Sequence, residues 1–228
     1  GGRERLGVAL AHAGTAWAAL GETERALAFL RRALAVLTVM KRYTTVAATV
    51  EAHVAVAELL VERNDIEGAA TEIESARTLA SATGIRKALL RVARGDAVVH
   101  LARRQYRLAR SSAEVAEQGA RESGLAIEAL HGRVLAAEAA AGQGDRLAAW
   151  RLLGDVLEDP HFADPARVAR GDLVLASCVR AFAALGDEAG AAHLGARLDA
   201  LRRAVAATAP FRSRRETGND GVGGLEHP

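Results

Sequence analysis

The chain has 228 residues, 53 of them Ala and 28 Leu, with half of all residues apolar and a formal net charge of +2. That balance excludes a disordered chain, and so much Ala with so few aromatics argues against a sandwich or a barrel. Ala, Leu, Arg and Glu are strong helix formers, so the expected class is all-α.

Five predicted helix pairs follow in order. The first spans 7–40: Leu10, Ala13, Gly14 and Trp17 share one face, Gly21 turns the chain, and Ala26, Leu30 and Ala33 take up the same spacing. In the second, 47–81, the matching residues are His53, Val56, Ala57 and Leu60, a turn at Asn64-Asp65, then Ala69, Ile73 and Ala76. The third, 86–122, has Ala93, Asp96, Ala97 and His100, a turn near Arg104-Gln105, then Ala109, Ala113 and Ala116. The fourth, 126–158, has Arg133, Ala136, Ala137 and Ala140, a turn at Gly144-Asp145, then Ala149, Leu153 and Val156. The fifth, 165–207, has Leu175, Cys178, Val179 and Phe182, a turn at Gly186-Asp187, then Ala191, Gly195 and Leu198. Anchors Ala26, Ala69, Ala109, Ala149 and Ala191 are 43, 40, 40 and 42 residues apart. Asp96, His100 and Arg133 occupy positions expected to face a core. Gly84, Gly124 and Gly186 are expected helix stops. The stretch from Glu158 to Asp164 reads as the one longer loop, with Asp164-Pro165 as N-cap and first helical residue. From 210 on, four glycines and little to bury predict a flexible tail over 210–228, leaving one repeat domain over 1–209.

These positions resemble the tetratricopeptide repeat, whose pattern is W-x2-L-G-x2-Y followed by A-x3-F. The resemblance implies a right-handed α-solenoid of about five helix-turn-helix repeats. The period exceeds the family's usual figure of about 34, so each helix is expected to be nearly one turn longer. Small residues at Gly14, Ala57, Ala97 and Ala137 let helix backbones approach, and Trp17, Leu60 and Phe182 fill the space between paired helices. The family also implies a concave groove, lined by the first helix of each pair, that holds a protein or peptide. Facing positions there are Glu51, Val54 and Glu58, then Arg91, Arg94 and Val98, then His131, Val134 and Glu138. The carboxylate clamp of some chaperone-binding members needs Lys and Asn where this chain has Ala11, Thr15 and Ala55, so that version is not expected. Long-period arrays of this kind resemble segments attached to bacterial signalling proteins. A start at Gly1-Gly2 leads us to expect a fragment or a processed product of such a protein.

Charge is unevenly placed. From Glu51 to Glu74 there are seven acids and one base, and from Arg77 to Arg110 nine bases and one acid. Either neighbouring pairs complement each other's charge, or the groove suits a charged peptide or partner helix. A basic cluster of Arg103, Arg104, Arg107 and Arg110 around Tyr106 supports an alternative nucleic-acid-binding or transcription-regulatory reading, and Arg202, Arg203, Arg212, Arg214 and Arg215 form another. Self-association through open ends is a further alternative. Seven histidines include no pair at metal-ligand spacing, and His53, His100 and His131 read as core or groove residues, so no metal and no cofactor are expected. Asp96 and His100, four apart, have no nucleophile beside them, and no catalytic constellation emerges; the expected molecule is not an enzyme. Arg-Gly-Asp occurs at 94–96 and 170–172, both inside predicted helices, which suits coincidence rather than adhesion. No apolar run approaches the roughly 18 residues of a spanning helix, no positively charged stretch with an apolar core at the start argues for secretion, and Cys178, the single cysteine, cannot form an internal disulfide. These features predict a cytoplasmic protein with no membrane contact.

Overall fold

Left-handed backbone at five short connections sets how the chain doubles back. The computed structural model describes residues 2–40, 43–168 and 170–208; the tail expected over 210–228 lies outside them, as do Arg212, Arg214 and Arg215. Among the described residues every regular element is helical. The helices are α1 (Gly2–Ala19), α2 (Thr23–Met40), α3 (Tyr43–Glu62), α4 (Ile66–Thr83), α5 (Arg86–Ala102) and α6 (Tyr106–Glu122). Then come α7 (Ala126–Gln143), α8 (Arg146–Leu157), the short α9 (Pro160–Ala163), a 3-10 turn (Pro165–Arg167), α10 (Gly171–Ala184) and α11 (Glu188–Thr208).

Gly21, Asn64, Arg104, Gly144 and Gly186 carry φ values of 75°, 62°, 55°, 80° and 78° and join α1 to α2, α3 to α4, α5 to α6, α7 to α8 and α10 to α11. After each, one N–H reaches five residues back. Glu22 donates to Trp17 (3.0 Å), Asp65 to Leu60 (2.8 Å), Gln105 to His100 (2.8 Å), Asp145 to Ala140 (3.0 Å) and Asp187 to Phe182 (3.0 Å). The closure satisfies a carbonyl that the helix end would otherwise orphan. Its acceptors are the fourth residues of the five sequence sets. Three second helices then start on an aspartate cap: Asp65, Asp145 and Asp187 accept from the N–H groups of Gly68, Ala148 and Gly190 at 3.0, 3.1 and 2.9 Å. Gln105 makes no such cap.

Small residues bring paired helices together. Ala26, Ala33, Ala69, Ala76, Ala109 and Ala149 are fully buried, whereas Ala191, on the final helix, is half-buried. A Cβ on Gly14 would sit 2.6 Å from Leu30 Cγ, and one on Gly132 would sit 2.6 Å from the backbone nitrogen of Glu117, so α7 lies directly on the backbone of α6. Helices α1, α3, α5, α7 and α10 also touch in series, while α2, α4, α6 and α8 make no comparable contact with one another. The series therefore runs along the tighter, inner side. Asp96 and Arg133, expected toward the core, sit at its edge in ion pairs with Arg77 and with Glu117 and Asp159.

The core is largest at the two ends. One cluster includes Leu27, Leu30, Val50, Val56 and Leu59; another includes Leu130, Leu153, Val174, Leu175 and Phe182. Between them a small cluster holds only Ala97, Ala113, Leu135 and Ala136.

The connection from α8 to α10 departs from expectation. Pro165 opens the 3-10 turn rather than a long helix, and α10 begins at Gly171. Phe162 and Val168 are buried, so this segment docks inward instead of running along the surface. Gly171 makes the bend possible, because a Cβ there would meet the Pro165 carbonyl oxygen at 2.1 Å. The second Arg-Gly-Asp thus straddles the start of a helix instead of lying within one: Arg170 is the N-cap residue of α10, in the left-handed region (φ 57°), and Gly171 and Asp172 open its first turn.

Candidate functional site

The inner helices enclose two cavities. The first, about 620 Å³, lies among α3, α5, α7 and α10, and Glu58, Glu62, Arg94, Val98, Glu138 and Arg180 are on its wall. The second, about 860 Å³, lies among α1, α3, the 3-10 turn and α11, with Trp17, Leu20, Val168, Leu201 and Val205 giving it an apolar wall.

A buried charge cluster separates them. Arg170, whose side chain is 4% exposed, holds Asp172 with two bonds, Nε to Oδ1 at 3.1 Å and Nη2 to Oδ2 at 3.3 Å. Its Nη1 donates to Glu58 Oε2 at 3.4 Å across 112 positions of sequence, and its Nη2 lies 3.6 Å from Glu62 Oε1. Arg94 Nη2 approaches Glu58 Oε1 to 3.0 Å, but not along a hydrogen-bonding direction; among the described residues Glu58 Oε1 and Arg94 Nε have no hydrogen-bond partner. Burial pushes the Glu62 carboxyl above its usual range; Arg170 opposes that rise, and the nearby Asp172 and Glu58 add to it. Arg180 forks onto Glu138 at 2.6 and 2.9 Å and donates to Ser177 Oγ at 2.9 Å. Burial pushes the Cys178 thiol up to about 12, so this is an inert thiol.

Of the groove positions chosen from sequence, Glu58, Arg94, Val98, His131, Val134 and Glu138 line the first cavity, and Glu51 and Arg91 the second. Val54 lines neither. It is fully buried against Gly95, because the inner row packs α5 onto that face of α3. The uneven charge largely resolves into pairs between neighbouring hairpins: Glu51 with Arg91, Glu58 with Arg94, and Glu67 with Arg103. The same relation joins Glu24 to Arg63, Glu117 to Arg133 and Glu138 to Arg180.

The alternative basic patch is partly neutralised. Arg103 pairs with Glu67, and Arg110 with Glu114 and Asp145; Arg104 and Arg107 are exposed. Tyr106 packs over Gly142, which withdraws its ring from stacking. His53 bonds Glu72 (2.7 Å) and His100 bonds Gln105 (2.8 Å), while Asp96 is held by Arg77 rather than by His100. Among the described residues no group of His, Cys, Asp and Glu is arranged to hold a metal ion, and no helix is long and apolar enough to cross a membrane.

Sequence reasoning missed Arg170, Asp172, Glu62 and Arg180. The available signal was the second Arg-Gly-Asp, whose two charged ends are the buried pair. In comparisons with known proteins, no family model, no curated protein and no solved structure matches this chain.

Proposed function

We propose that this chain is a right-handed α-solenoid of five tetratricopeptide-like repeats, a non-catalytic module that holds a protein or peptide on its concave side. The observation that carries this reading is the inner series of first helices with two cavities on it, whose walls alternate charged and apolar side chains. Cavities of this size with a few placed polar groups suit side chains of an extended segment. The five equivalent turns, three of them followed by an aspartate cap, support the repeat assignment. The larger context we propose is a bacterial signalling or regulatory protein acting in the cytoplasm.

The test is selection of a random peptide library on the purified chain, followed by obstruction of each cavity. Val98→Arg fills the first and Ala48→Arg the second, while Val115→Arg, on exposed α6 surface, is the control. Selected peptides should be lost with the first two and kept with the third. Peptides kept by both cavity variants would sink the concave-side assignment.

A further inference from the structure

The second cavity lies between the two ends of the array. Helix α1 forms one side, the 3-10 turn and α11 form the other, and α1 and α11 are not packed on each other. Trp17 and Leu20 on one side, and Leu201 and Val205 on the other, remain half-buried across the gap. Ala13, Ala16 and Ala48 set the wall back between them, so the chain's own side chains do not fill the space. The buried Arg170 cluster closes the side that faces the first cavity. Water in an apolar space of about 860 Å³ finds few polar groups to bond, and the lining forgoes dispersion contact; an apolar occupant corrects both.

The polar groups on this wall restrict the occupant. Glu51 and Arg91 pair with each other, and Arg91 Nη1 also donates to the Ala47 carbonyl at 3.4 Å. Arg170 and Asp172 are joined by two bonds. Thr15 donates its hydroxyl proton to the Ala11 carbonyl at 3.0 Å. Two acids and two arginines therefore cancel within the wall, and a charged ligand would lose its hydration without gaining a counterion. The donors left over belong to rings: among the described residues, the His12 imidazole and the Trp17 indole N–H have no hydrogen-bond partner.

We propose that this cavity binds an uncharged, largely apolar small molecule with one acceptor oxygen, an alcohol or ketone on an alkyl or aryl body, and that the ligand ties the first hairpin to the fifth. The volume falls in the range of small-molecule sites, where an apolar wall supplies affinity and a few polar groups fix orientation. Trp17, Leu20, Leu201 and Val205 contact the body, and His12 or Trp17 donates to the oxygen. The proposal goes beyond the concave-side reading: a small molecule here excludes the part of a peptide lying at this cavity, and either can bind without the other.

The test uses the whole chain and the uncharged dye N-phenyl-1-naphthylamine, whose fluorescence rises in an apolar site. The dye should bind once per chain, and 1-decanol should displace it. Decanoate and decylammonium, of the same chain length, should compete at least about tenfold more weakly, since each must bury an unpaired charge. Ala16→Phe fills the cavity from α1, where the native side chain is exposed and the core is not disturbed, and should abolish dye binding. Val98→Phe, in the first cavity, should leave it intact. Decanol should raise the melting temperature of the native chain and not that of Ala16→Phe, because a ligand held only by the folded state stabilises it.

Dye retained by Ala16→Phe, dye lost with Val98→Phe, or decanoate competing as well as decanol overturns the proposal. Displacement by Nα-acetyl-phenylalanine methylamide as tight as by decanol assigns the cavity to a peptide side chain and overturns the small-molecule source. Dye binding confined to concentrations at which sedimentation finds a dimer assigns this wall to a second copy and overturns it as well. Dye binding as expected, with no peptide selected on the concave side, leaves this inference standing and overturns the broader reading.

Discussion

In the α3/α4 hairpin the buried surface comes mostly from branched side chains: Val46, Val50, Val56, Leu59, Leu60 and Ile73. In the α5/α6 hairpin it comes mainly from Ala88, Ala97, Ala109, Ala113, Ala116 and Ala120, while Leu89, Leu108 and Val115 point to solvent. Both hairpins close through the same five-back bond, at Leu60 and at His100. Similar backbones are thus held by different means. Branched side chains bury area, which is stabilising in proportion to the surface removed from water. Alanines bury little area but let backbones approach, so their benefit is dense dispersion contact. The third hairpin adds ion pairs that reach back to the second, from Arg91, Arg94 and Arg103. The second hairpin supplies apolar bulk and acid, and the third leans on it.

The difference can be broken most strongly from the second hairpin. Leu59 is fully buried in the larger cluster, and Leu59→Ala should cost about 3 kcal/mol through lost transfer energy and the cavity left behind. Urea unfolding measures this directly. A cost below about 1 kcal/mol would mean that α3 collapses onto the gap and that its branched side chains are not the main support. The third hairpin should fail in the opposite direction. Ala113, fully buried among Ala97, Leu135 and Ala136, has no room for a longer side chain. Ala113→Leu should therefore destabilise by about 2 kcal/mol through overpacking, where the same added volume on exposed α6 surface should change little. A neutral Ala113→Leu would show a slack seam rather than a tight one.

The turns separate the hairpins more gently. Asn64 tolerates the left-handed region and is followed by an aspartate cap; Arg104 has neither advantage. Its side chain is exposed, so Arg104→Gly should relieve backbone strain and stabilise by about 0.5 to 1 kcal/mol. A shift of the urea midpoint upward with an unchanged slope is the expected reading; a shift downward would mean that the guanidinium makes a contact that outweighs the strain.

Much of this contrast could be read from the sequence. Gly21, Asn64, Gly144 and Gly186 announce turns by their own chemistry, and Arg104 is located only because the spacing of Ala97 and Ala109 demands a turn between them. Local periodicity encodes helix faces, so the small residues at Ala57, Ala97 and Ala137 were legible as contact positions. The wall between the cavities was not. Arg170 meets Glu58 across 112 residues, and that meeting depends on the curvature accumulated over α3 to α10, which no local spacing records. The start of α10 was misplaced for a related reason: Pro165 is a good first helical residue, but burial of Val168 and the bend at Gly171 override it. The groove face was legible at Glu58 and Arg94 and failed at Val54, where the inner packing of α5 onto α3 buries the residue.

The smallest effect lies where the second hairpin meets the start of α10. Glu62 ends α3 and faces Arg170, Asp172, Glu58 and, more distantly, Arg202. Burial, with the two neighbouring acids, raises its proton affinity above that of the unfolded chain, and Arg170 offsets only part of this. The folded state therefore holds a proton here more tightly than the unfolded state does. Stability linked to this group is fully present below the unfolded value and is lost as pH rises through the folded one. Glu62→Gln removes the titration and leaves a neutral side chain of similar shape. The variant should match the native chain in acid and become the more stable of the two as pH rises, by less than about 1 kcal/mol because the carboxylate is 40% exposed and partly screened. Paired urea titrations from acid to neutral pH isolate the effect, since every other group is common to both chains. A difference that stays constant with pH, or a variant less stable at neutral pH, would mean that Arg170 wins over burial and that Glu62 is a structural ion-pair partner.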